Sequence, residues 1–171
     1  MGASMIKYLI SLLLLVSLSA IAVEGLPDPI RTPGVINPNV TQANIGETIC
    51  KKGWTKTIRP SAYYTNKLKK KQMAELSLKG NPSDYEEDHL ISLELGGHPT
   101  DPKNLWPELW DGPWGARKKD VIETYLKRQV CAGNISLVDA QIWIATDWIA
   151  TYKKFKKPVV LPGMKKVQSS K

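Results

Sequence analysis

A chain of 171 residues, 42% of them hydrophobic, suffices for one domain with modest extensions and is short for two. Its formal charge of +8 directs it towards polyanions, among them nucleic acid, anionic lipid and acidic polysaccharide. Two cysteines and two histidines, at 50, 89, 98 and 131, do not stand at the spacing of a finger-like zinc site.

Residues 1–22 read as a signal peptide. Lys7 precedes an apolar run at 8–18, and Ala20-Ile21-Ala22 offers small residues for cleavage. That run falls short of the roughly 20 apolar residues of a membrane span. The mature chain is therefore expected to begin near Val23, to be secreted or periplasmic, and to keep no stable membrane association. Residues 23–46 form an extended N-terminal arm without helical period. Cys50 and Cys131 read as one disulfide in an exported protein, closing a loop of roughly 80 residues.

Residues 54–58 suggest a short strand, and 65–78 a helix with a loose apolar stripe, stopped by Gly80-Asn81-Pro82. A hairpin is expected over 84–107. Its first strand runs on past His89, with His89, Ile91, Leu93 and Leu95 on one face and Leu90, Ser92 and Glu94 on the other. Gly96-Gly97 breaks that strand, and Leu105-Trp106 begins a second apolar segment. His98, in a Gly-Gly-His-Pro turn, reads as a turn residue. A helix over 116–131 shows clear 3.6-residue periodicity through Val121, Ile122, Tyr125, Leu126 and Val130, and Gly133 stops it. Ser136, with Asp139 three residues on, starts a last helix that reaches about residue 154, its tryptophans serving as packing residues. Residues 156–171 form a basic tail.

The chemistry concentrates in 84–104, where Asp84-Tyr85-Glu86-Glu87-Asp88 leads directly into His89. A histidine titrates near neutrality and suits a general base. In a regular strand Asp88 points away from it, so a shared site requires a bend or bulge there. Asp88-His89, Leu95-Gly96-Gly97, Asn104-Leu105 and the following basic helix together resemble an HNH endonuclease core. More closely, the span 41–152 is similar to small secreted bacterial proteins with an HNH-like motif. The shared phrases include Gly-Trp-Thr-Lys-Thr at 53–57, Asn-Leu-Trp-Pro-Glu at 104–108 and Val-Cys-Ala-Gly at 130–133.

The resemblance implies an α+β fold over 47–155, with a small ββα-metal core hairpin, packed helices and one disulfide. It also implies a metal-dependent nuclease acting on DNA or RNA without sequence preference. His89 would be the base, Asn104 would bond the imidazole or its backbone, and Asp88 would ligate a divalent ion, Mg²⁺ first and Mn²⁺ or Zn²⁺ as alternatives. The family pattern expects a third ligand, His or Asn, at the start of the helix after the hairpin, where this chain has Trp114 to Asp120. Three readings stay open. Glu108 or the Glu86-Glu87 pair completes the coordination; Arg117, with Lys119 beside it, contacts phosphate; or the protein binds nucleic acid or another polyanion without cutting.

Overall fold

The computed structural model describes residues 25–156; the segment read as a signal peptide and nearly all of the segment read as a basic tail lie outside that range. Two antiparallel strands, β1 (Tyr85–His89) and β2 (Leu105–Leu109), pair in unbroken register from Tyr85 opposite Leu109 to His89 opposite Leu105. Four helices accompany them: α1 (Trp54–Ile58), α2 (Ala62–Glu75), α3 (Ala116–Cys131) and α4 (Leu137–Lys156). The fold is α+β, with the expected succession of strand, strand and helix at its centre. Helix α2 packs on the hairpin and α3 packs on α4.

The core explains this arrangement. Ile122, Leu126 and Val130 of α3 meet Ala140, Ile144 and Trp148 of α4, and Leu90, Ile91 and Leu95 close the cluster from the hairpin loop. The N-terminal arm belongs to this core: Val40 is buried in it, and Ile36 forms an isolated bridge with Gly97. The Trp148 indole, fully buried, donates its Nε1–H to the carbonyl of Gly25 at 2.9 Å. Cys50 and Cys131 are bonded, tying the end of the arm to the end of α3.

Three local expectations are corrected. Residues 54–58 are helical, although Thr55, Thr57 and Ile58 are β-branched; Pro60 then forces Arg59 to extended backbone and ends the turn. Strand β1 stops at His89, because the backbone of Ile91 bonds the Asn104 side chain instead of a partner strand. Residues 93–95 close as a 3-10 turn. The last helix is interrupted at Asp147, whose φ of −163° and ψ of 90° are non-helical. Its carboxylate accepts from Ala150 N–H at 2.8 Å, as an N-cap does, and the Thr151 hydroxyl donates to the carbonyls of Trp143 and Asp147 beside the break.

Candidate active site

His89 ends β1 and is 5% exposed. Its Nε2 lies 2.9 Å from the carbonyl oxygen of Pro99. A carbonyl only accepts, so Nε2 carries the hydrogen and Nδ1 keeps its lone pair. Burial holds the ring's pKa below the usual histidine value. The positive charges of Lys119 and Arg59 act the same way, against the Pro99 bond and the Asp88 carboxylate. The imidazole is therefore neutral at neutral pH, in one tautomer.

The loop that supplies the Pro99 carbonyl is braced on both sides. Asn104, with no exposed surface, donates from Nδ2 to the carbonyls of Ile91 and His98, each at 3.0 Å. Its Oδ1 accepts from Ile91 N–H at 3.0 Å and Val35 N–H at 3.3 Å. On the other side of Pro99, the Tyr64 hydroxyl donates to the Thr100 carbonyl at 2.5 Å. Asn104 thus touches neither the imidazole ring nor the His89 backbone through its side chain. It positions the loop that orients the ring. His98 is a turn residue: its Nδ1 accepts from the backbone N–H of Thr100 and Asp101.

The neighbours of His89 in β1 follow strand alternation, with no bulge. Asp88 reaches α3, where Lys119 Nζ approaches its Oδ2 at 2.6 Å. The same ammonium donates to the carbonyl of His89 at 2.7 Å and to the carboxylate of Glu123. Lys119 has three N–H donors, three acceptors and no exposed surface. Burial disfavours its charge, but the carboxylates of Asp88, Glu123 and Glu108 outweigh that and hold its pKa above the normal lysine value. The expected phosphate contact from Lys119 is corrected: its donors are spent inside the protein.

Glu108, 1% exposed, belongs to the same buried cluster. No donor reaches either of its carboxyl oxygens, and burial followed by the charge of Asp88 raises its pKa strongly. A proton on Glu108 relieves the repulsion with Asp88. These oxygens, like those of Glu87, receive no donor, a feature favourable to a cation. Against it, an ammonium already sits on Asp88, Glu108 is sealed from solvent, and no group of three or more His, Cys, Asp or Glu among the described residues is arranged to hold a metal ion. The donor set of Asp88 and Glu108 does not fit a divalent metal.

On the α2 side His89 lines a cleft of about 290 Å³, together with Arg59, Asn66, Lys69, Glu86, Glu87 and Trp110. Lys69 Nζ is bound to the carbonyl of Tyr85 at 2.6 Å. Arg59 is exposed, and among the described residues its guanidinium has no hydrogen-bond or ion-pair partner. Glu87 is 8% exposed with both carboxyl oxygens unpartnered. Burial pushes its pKa up to about 8; the positive charge of Lys69 opposes that rise and the negative charge of Asp88 adds to it. Glu86 is raised to about 7, first by burial and then by Asp88 and the acids of α3. The cleft therefore pairs a neutral imidazole with a carboxylic acid that is protonated at neutral pH.

Arg117 stands apart from His89. Its Nε bonds Asp111 at 3.1 Å, its guanidinium lies 5.7 Å from the centre of the Trp110 ring, and it borders a second groove with Ser83, Asp84 and Leu109. Trp110 lines both spaces. Arg59 and Trp110 are the site residues that sequence reasoning passed over. Arg59 lies thirty positions before His89, directly after a segment read as a strand, and Trp110 has only its place after the hairpin to single it out.

Comparison with known proteins gives no match to a family model, to a curated protein or to a solved structure.

Proposed function

We propose that the protein is an exported nuclease that cleaves phosphodiester bonds of nucleic acid, with His89 as general base. The observation that carries this reading is the imidazole itself: Nε2–H is fixed on the Pro99 carbonyl, and the ring lines an open cleft beside an unpaired arginine. A buried neutral base with a fixed tautomer accepts a proton without first losing one. Arg59 is suited to the phosphate because its planar fork offers two parallel N–H donors to two oxygens. The net charge of +8 draws a polyanion to the surface, and the Cys50–Cys131 bond suits an oxidising compartment outside the cytoplasm.

The test is cleavage of plasmid DNA and total RNA by the oxidised protein, beside His89→Ala and Arg59→Ala. The expected result is cutting that His89→Ala lowers by about 10²–10⁴-fold. Arg59→Ala should weaken substrate use without unfolding the protein. If folded wild-type protein retains nucleic acid in a salt-sensitive way and never cuts it, the domain is a binding module and the catalytic reading fails.

A further inference from the structure

The cleft beside His89 holds an unprotonated ring nitrogen, an unpaired guanidinium, a carboxylic acid and an indole. Of the carboxylates in and around it, Asp88 is taken by Lys119 and the oxygens of Glu108 and Glu87 are covered, which leaves Glu86 as the one carboxylate open to a cation. The difficulty of phosphodiester cleavage depends on where the nucleophile comes from. In DNA an outside water must be captured, aimed and deprotonated, a task for which a bound cation is the usual aid. In RNA the 2′-hydroxyl already sits beside the phosphorus, and well-aligned internal nucleophiles reach effective molarities on the order of 10⁵–10⁸ M. One imidazole and one guanidinium suffice for the second task and fall short of the first.

The indole points the same way. Trp110 is half-buried in the cleft wall, where a base can stack on it. Stacking on a side chain requires a base already out of a duplex, as in single-stranded RNA. A cleft of about 290 Å³ is of the order of one unstacked nucleotide.

Building on the nuclease reading above, we propose that the substrate is single-stranded RNA, cleaved without a divalent metal by attack of its own 2′-hydroxyl. His89 Nδ1 takes the 2′-hydroxyl proton as the O2′–P bond forms. The P–O5′ bond breaks, and the departing 5′-oxygen takes a proton from solvent. Arg59 holds the two non-bridging oxygens. The products are one strand ending in a 2′,3′-cyclic phosphate and one beginning with a 5′-hydroxyl. The imidazolium then returns its proton to solvent, and nothing is oxidised or reduced.

The deciding experiment gives the full oxidised protein a single-stranded RNA oligonucleotide, the DNA of the same sequence, and the RNA with 2′-O-methyl groups throughout. Each is incubated in EDTA and separately in Mg²⁺, Mn²⁺ and Zn²⁺, and product ends are read by mass spectrometry. The proposal expects RNA cut in EDTA to cyclic-phosphate ends, with the DNA and the methylated RNA left intact. The methylated substrate makes the test independent of whether any variant folds. Cutting that requires a metal, acts on DNA as well as RNA and leaves 5′-phosphates would overturn the RNA proposal while sparing the nuclease. Failure to cut any substrate under any condition would sink both.

Discussion

Lys119 has no exposed surface, so its charge is tolerated only while three acceptors surround it. Lys119→Met would leave Asp88 and Glu123 facing one another without a cation. Removing one member of a buried ion pair typically costs about 3–5 kcal/mol. The expected outcome is a fall of that size in urea unfolding, and a midpoint equal to wild type would contradict the role given to this lysine. Glu87 makes a separate demand, through pH. Its folded pKa, about 8, lies above the ordinary carboxylate value, so its contribution to stability is full below that ordinary value and is lost as pH rises through about 8. Glu87→Gln should flatten this decline. His89, whose pKa is depressed, works in the opposite sense, its contribution being lost as pH falls through its folded value.

At the scale of elements, the site depends on a loop more than on the strands. Asn104 satisfies two backbone N–H groups and two carbonyls with one side chain. Asn104→Ala strands those buried groups, and a destabilisation of at least about 3 kcal/mol is expected in chemical denaturation. Tyr64→Phe removes only the strut on Thr100, so it should cost about 1 kcal/mol and still slow cleavage by loosening the Pro99 carbonyl. If Tyr64→Phe matches wild type in rate, the loop does not orient His89. Much of this was legible in the sequence. The basic helix with Gly133 at its end and the Ser136–Asp139 cap stood out by residue type and spacing, and Asn104 stood out by the resemblance, but the shared Asp88–His89 site expected there did not form. The end of β1 did not, because apolar alternation continues through Leu95 while the hydrogen-bond partner changes from a strand to the Asn104 amide. Nor did the partner of Asp88: a lysine on a helix with an exposed basic face reads as a surface residue until the fold buries it. The Asp147 break was equally hidden, since the apolar period resumes on both sides of it.

For the whole molecule, the Cys50–Cys131 bond spans 81 positions and encloses the hairpin, α2 and nearly all of α3. By the chain-entropy relation a loop of this length contributes about 4–5 kcal/mol. Reduction should shift the urea midpoint by that amount, and an unchanged midpoint would show that the reduced chain is already constrained. The net charge of +8 supplies affinity for nucleic acid that falls steeply with salt and does not depend on His89. Binding and cutting are therefore separable, and their separation tests the account at its centre. The measurement is the rate of nucleic-acid cleavage by oxidised wild type and by His89→Gln at equal folded fraction, with binding followed in the same samples across salt. The account expects unchanged salt-dependent binding and a rate lowered by about 10²–10⁴-fold. Equal rates would remove His89 from the chemistry, and binding without cutting by either protein would make the domain a nucleic-acid-binding module instead.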